Sequence, residues 1–283
     1  MPSLRVAHSP DSDDAFMFWA LAAEKIDTGN RRYIHELSDI ESLNRRAMAG
    51  ELEITAVSFH AYAHVADRYV LLPHGASIGD RYGPRVVSKG AVPSDVRGAL
   101  AGKRIAIPGE MTTAFLTLRM FQSEFDPVPT PFDQIEEAVL GGEVDAGLLI
   151  HEGQLTYAHR GLELWLDLGE WWHSETGLPL PLGCNVVRRD LGEDLIKHVS
   201  RDLRASIVFG LGHRAEALAH AMQYARGLTE EDADTFVGMY VNDYTVDYGD
   251  IGRRAVRTLL ERGAREGLIP SKVSVDFVDD AVS

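Results

Sequence analysis

Apolar positions in this chain recur with two spacings that keep changing places, short continuous runs and helical periods of three and four. Leu4–Ala7 is a short run that predicts a strand, SPDSDD is a turn, and Ala15–Glu24 is a predicted helix capped by Asp13 or Asp14. Tyr33–Glu36 predicts a second strand. Asp39 then caps a helix over Ile40–Ala49, where Ile40, Leu43, Ala47 and Met48 share a face before Gly50 stops it. Ile54–Val57 predicts a third strand, and Ser58 opens a short helix carrying Phe59, Tyr62 and Val65. This is the rhythm of parallel βαβ units.

The pattern changes near Gly83-Pro84. Arg85–Ser88 and Gly183–Arg188 are short extended stretches with no helix close behind them, and a second alternating block lies between. It holds the strand Arg104–Ile107, the turn PGEMTT, and a helix Ala114–Phe125 with Ala114, Leu118, Phe121 and Phe125 on one face. A strand Leu162–Leu166 and a helical turn around Trp171-Trp172 come later in the block. Beyond Arg188 the periodicity is helical over Leu191–Leu211, Ala215–Ala225, Glu230–Tyr240 and Ile251–Gly263, the last with Ile251, Ala255, Leu259 and Leu260 inward. The expectation is an α/β protein of two lobes, residues 1–88 with 189–283 and an inserted lobe of residues 89–188. Two extended crossings would join them, with a ligand cleft between.

The stretch FDQIEEAVLGGEVDAGLLIHE, residues 132–152, carries the clearest chemical hint. Ile135 and Val139 lie on one helical face, Gly141-Gly142 ends the helix, and Ala146–Ile150 is a buried strand followed at once by His151. Groups just past the carboxyl end of such a strand line the crevice of an open α/β sheet. His151 there either moves a proton near neutral pH or is a strand-end histidine hydrogen-bonded to a loop.

Composition narrows the classes. With 28 basic and 43 acidic side chains the formal charge is −15, which repels nucleic acid and anionic membrane, and no basic stripe overrules it. No run of about 18 apolar residues predicts a membrane span. The first residues show no charged n-region, apolar h-region or small-residue cleavage site, so a cytoplasmic protein that binds a small molecule is expected. One cysteine, Cys184, excludes an internal disulfide and a cysteine-cluster metal site, and its apolar flanks predict a buried thiol.

Three turns would face the cleft: Ser9–Asp14 after the first strand, Ser58 after the third, and Thr112-Thr113 opening a helix of the inserted lobe. Each sets hydroxyls and free backbone N–H groups at a positive helix end, which suits an anionic oxygen, though plain N-capping has the same signature. Asp11, Asp13 and Asp14 would repel an anion, so a ligand carboxylate is expected at Thr112-Thr113. His60 and His64 stand four apart but lack a third ligand, so no metal site is expected. Trp171 and Trp172 either floor the cleft or pack. No nucleotide-binding or serine-hydrolase motif occurs.

The segments SPDSDDAFMFWAL, DIESLNRRAMAGELEITAVSFHAYA, GPRVVSK, GEMTTAFLTL, GEVDAGLLIHEGQLTY, DLGEWWHSETGLPLPLG and YVNDYTVD follow one another over nearly the whole chain. In order and spacing they resemble the 1,4-dihydroxy-6-naphthoate synthases of the futalosine route to menaquinone. The resemblance implies a two-lobe type II periplasmic-binding-protein-like fold and a cytosolic, cofactor-free lyase. That reaction opens cyclic dehypoxanthine futalosine, loses its sugar-derived part and leaves the dihydroxynaphthoate. The family's catalytic base falls on His151, and its cleft hydroxyls fall on Ser58, Thr112 and Thr113. The alternative is a non-catalytic two-lobe binding protein for a small carboxylate or aromatic acid.

The first loop departs from the family's SPCPNDTF. In SPDSDDAF, Asp13 replaces an amide donor with a carboxyl, and Ala15 replaces a hydroxyl. An ionised Asp13 facing the cleft would take substrate hydroxyls and repel a carboxylate. Together with Ser9 and Asp14 it would hold the sugar-like end of the ligand, or else it would turn away and cap the helix.

Overall fold

The computed structural model describes residues 3–225 and 228–278. Strands β1 (Ser3–His8), β2 (Arg32–Leu37), β3 (Ile54–Ser58), β4 (Tyr69–Leu71) and β5 (Ser77–Gly79) belong to one sheet. Strands β6 (Arg85–Ser88), β7 (Arg104–Ile107), β8 (Asp126–Pro129), β9 (Ala146–Leu149) and β10 (Glu163–Asp167) form the other. The long strand β11 (Leu180–Arg188) returns to the first sheet, whose order is β2-β1-β3-β11-β4 with β5 also on β11. The second sheet runs β10-β6-β9-β7-β8. The βαβ segments supply the parallel pairs, β1 with β2 and β3, and β7 with β8 and β9. The crossing strands β6 and β11 pair antiparallel.

Strand pairing moves the expected lobe boundaries. Arg85–Ser88, grouped by sequence with the first lobe, lies between β9 and β10, and residues 180–188, grouped with the second, lie between β3 and β4. The chain therefore passes between sheets at residues 80–84 and 177–179. Which partner receives an isolated apolar strand is a tertiary choice that local pattern does not carry. At the first crossing the Pro84 carbonyl accepts the Leu168 N–H at 2.9 Å, and a Cβ on Gly169 would lie 2.0 Å from the Tyr82 oxygen. Backbone meets backbone there, which only glycine permits.

The helix Ser12–Ala22 is buried nearly all round, from Ser12 to Leu21. Its apolar residues FMFWALA form no single stripe because helices Glu193–Gly212, Arg214–Ala221 and Glu230–Tyr240 pack over it. Ser206 Oγ donates to the Met17 carbonyl at 2.7 Å and accepts the Leu21 N–H at 3.2 Å. This clamp fixes the helix that follows the turn where the site begins.

Several element ends differ from expectation. The cap of that helix is Asp11, not Asp13 or Asp14, and its side chain makes no capping bond. The helix Thr113–Phe121 stops before Phe125 because Gln122 is extended, which lets β8 form. Ile251 is 50% exposed, and the buried face of Gly249–Arg265 runs instead through Gly252, Ala255, Val256, Leu259, Leu260 and Gly263. Asp39 caps Ile40–Met48 as read, accepting the Ser42 N–H at 3.0 Å. Trp171 and Trp172 pack in the core against Phe121 and the Arg262 guanidinium.

Candidate active site

A cavity of about 720 Å³, its open mouth included, is lined from both sheets. Ser9, Asp11, Asp13 and Asp14 follow β1, Ser58 ends β3, Thr112 and Thr113 open a helix after β7, and Ile150 and His151 follow β9. All of the candidates from the three turns thus line one space together with His151.

His151 takes a left-handed backbone, φ 61°, which is uncommon for a residue with a Cβ. Two contacts hold it there. Its Nδ1 lies 2.8 Å from Asp11 Oδ2, and the ring of Phe132 meets it edge-on at a centroid distance of 4.5 Å. Asp11 as a carboxylate can only accept, so the ring proton sits on Nδ1 and Nε2 is left for the cleft. Nε2 is buried and has no hydrogen-bond partner among the described residues. Burial alone would lower the imidazole's pKa. The Asp11 charge and hydrogen bond overturn that, with help from the Glu152 charge, and hold it at about 9.

The first turn gathers further carboxyls. Asp14 Oδ2 accepts the Ser9 N–H at 2.7 Å, and Ser12 Oγ donates to Glu152 Oε1 at 3.2 Å. Burial raises Asp14 to about 6 against the pull of the Ser9 N–H. Asp13 stands well above the usual carboxylate range, from burial first and then from the charges of Asp14 and Asp11. Burial thus opposes the ionised Asp13 that the sequence suggested, and the cap position belongs to Asp11 rather than Asp13.

At the opposite wall the two threonine hydroxyls are already engaged. Thr112 Oγ1 donates to the Gly109 carbonyl at 2.8 Å and accepts the Phe115 N–H, while Thr113 Oγ1 donates to the Leu182 carbonyl at 2.6 Å and accepts the His60 N–H. A ligand oxygen at this end would meet the first N–H groups of the nine-residue helix Thr113–Phe121. Ser58 Oγ accepts from Asn44 Nδ2 at 3.1 Å, and the Ser58 N–H donates to Asn44 Oδ1 at 2.8 Å. Asn44 Nδ2 also reaches the Met111 carbonyl at 3.3 Å, so this one buried amide ties two walls together.

Sequence reading passed over several lining residues. Tyr240 donates to Gln154 Oε1 at 2.8 Å, and Asn185 Nδ2 donates to the Gly75 carbonyl at 2.8 Å while its Oδ1 is buried with no partner among the described residues. Asn44 left one trace, a polar residue three before Ala47 on the apolar face of its helix. Nothing local marks Asp11 as the partner of His151. Cys184 is buried, and its thiol is pushed well up by burial. His60 Nδ1 faces the Thr112 carbonyl at 3.3 Å, and among the described residues no group of three or more His, Cys, Asp or Glu is placed to hold a metal.

Comparison with known proteins now adds to the geometry. The sequence model of the family described as menaquinone biosynthesis matches residues 4–265. The chain belongs to that family. It is 41% identical over 268 residues to the 1,4-dihydroxy-6-naphthoate synthase of Thermus thermophilus, covering 95% of this chain and 96% of that one. The synthase of the same name from Streptomyces coelicolor is 37% identical over 275 residues, with 95% of each covered. A crystal structure from Archaeoglobus fulgidus superposes with a TM-score of 0.90 at 49% identity, over 94% of this chain and 98% of that chain. The alkanesulfonate-binding protein SsuA of Xanthomonas axonopodis pv. citri, at 14% identity, gives a TM-score of 0.69 over 96% of each chain. At that distance the likeness is one of fold. The menaquinone biosynthesis chain thus has a two-lobe periplasmic-binding-protein-like fold.

Proposed function

We propose that this member of the menaquinone biosynthesis family is a 1,4-dihydroxy-6-naphthoate synthase, a lyase that opens cyclic dehypoxanthine futalosine and releases its sugar-derived part. The identity to two synthases over almost the full chain supports the activity. The single observation that carries the mechanism is the buried Nε2 of His151, without a partner among the described residues and with Asp11 behind the ring. Nε2 takes a proton from the substrate as general base, and Asp11 is a positioning residue that holds Nδ1–H and stabilises the imidazolium so formed. In the ligand-free cleft the ring is protonated at neutral pH, because its pKa is about 9. The rate is then set by the small neutral fraction, each molecule of which is a strong base. The carboxylate end of the substrate rests on the N–H groups at Thr113–Phe121, and the sugar-derived end faces Ser9, Asp13 and Asp14. Closure of the two lobes excludes water from this space. The biosynthetic names of its relatives support a cytosolic location for the enzyme.

Turnover of cyclic dehypoxanthine futalosine by purified protein is the test. His151→Ala should lower kcat by about two to four orders of magnitude while 1,4-dihydroxy-6-naphthoate still binds. No turnover by the wild type, with a small aromatic acid bound equally well with and without the imidazole, would instead make this a binding protein.

A further inference from the structure

Four carboxyl groups meet where the turn after β1 faces the turn after β9: Asp11, Asp13, Asp14 and Glu152 are each at least nine-tenths buried. Three of them have donors. Asp11 has the His151 ring, Asp14 the Ser9 N–H, and Glu152 the Ser12 hydroxyl. Among the described residues no hydrogen-bond donor points at Asp13, although it lines the cavity. The groups facing it are Asp11 and Asp14 on its own segment, His151 and Glu152 from the other turn, and Tyr240 from the helix Glu230–Tyr240. His151 is the one cation among these.

Ionising every carboxyl would set four negative charges against one positive on side chains at least nine-tenths buried. A buried charge without a partner is costly enough that the group takes up a proton instead. The proton settles where the ionised form is stabilised least, on the carboxyl with no donor. The order of the two neighbours agrees: Asp14, with an N–H in hand, rises to about 6, while Asp13, with none, stands well above the usual range.

We infer that Asp13 meets the ligand as a neutral carboxylic acid and donates its O–H to an oxygen of the ligand's sugar-derived part. The ligand's identity rests on the synthase reading, whereas the protonation of Asp13 does not. A neutral carboxyl presents an O–H donor beside a C=O acceptor, much as a side-chain amide presents its N–H donors beside a C=O. The aspartate therefore preserves the hydrogen-bonding character that asparagine has in SPCPNDTF. It favours an acceptor oxygen, an ether, carbonyl or hydroxyl lone pair, at that end of the cleft. With His151 deprotonated for catalysis, the cleft holds an acid and a base side by side, kept apart in proton affinity by their different partners.

Two measurements test this. Infrared difference spectra of ligand-free wild type minus Asp13→Asn at pH 7 should show the C=O stretch of a protonated carboxylic acid, moved by 13C-aspartate labelling. A spectrum with only carboxylate bands for Asp13 would overturn the inference whatever the protein's activity. Steady-state kinetics with cyclic dehypoxanthine futalosine form the second arm. Asp13→Ala should raise KM about tenfold more than Asp13→Asn, since only alanine leaves the ligand oxygen without a donor. Equal rises in KM, or wild-type KM that improves as pH is raised, would show that Asp13 acts as an ionised acceptor. Failure of turnover in the wild type would count against the synthase reading alone, and the infrared result would still stand or fall by itself.

Discussion

Asp11 Oδ2 lies 2.8 Å from His151 Nδ1, an ion pair that joins the turn after β1 to the turn after β9. Everything the imidazole does in the cleft passes through this contact: which nitrogen is free, how basic it is, and why a backbone with φ 61° persists.

Asp11→Asn should therefore cost more than a charge. An asparagine amide can donate to Nδ1, which moves the ring proton to Nε2 and removes the base. Turnover is expected to fall by about two to four orders of magnitude with KM little changed. Imidazole 15N chemical shifts should report the tautomer switch directly. A variant with wild-type kcat would show that the pair is structural.

The pH dependence follows from the same pair. His151 titrates at about 9 in the folded protein against an ordinary value of 6.5, so the native state holds a proton that the unfolded state has lost between those values. Its contribution to stability is complete below pH 6.5 and disappears as pH rises through 9. Wild-type Tm should fall across that window more steeply than the Tm of Asp11→Asn, in which burial alone would depress the histidine. Over the same range wild-type kcat/KM should rise, because the neutral imidazole is the base. Opposite slopes for stability and activity are the signature. A flat or falling kcat/KM between pH 7 and 9 would mean that the imidazolium is the working form.

Asn44 supports the opposite wall through Ser58 and the Met111 carbonyl. Asn44→Leu keeps the branched shape and strands the Ser58 N–H in a buried place. A loss of about 1–3 kcal/mol in denaturant unfolding is expected, together with weaker ligand binding. Stability within error of wild type would show that the Asn44 bridge does not hold the cleft.

The sequence by itself determined the alternation of strands and helices, the strand that ends at His151, the cap at Asp39 and the three turns that carry hydroxyls and acids. These are local matters, settled by side-chain period and by which residues hydrogen-bond their own backbone. Tertiary structure decided the rest. The sheet that receives Arg85–Ser88 depends on β9 and β10 being free to flank it, and Ile251 faces water because Gly252 and Val256 meet the packed side first. The same holds for chemistry. Thr112 and Thr113 read as open hydroxyls until the Gly109 and Leu182 carbonyls are placed beside them. Asp11 and Asp13 are alike in sequence, but one lies against an imidazole and the other against further carboxyls. Proton affinity is a property of surroundings, and those surroundings come from distant segments that only folding brings together.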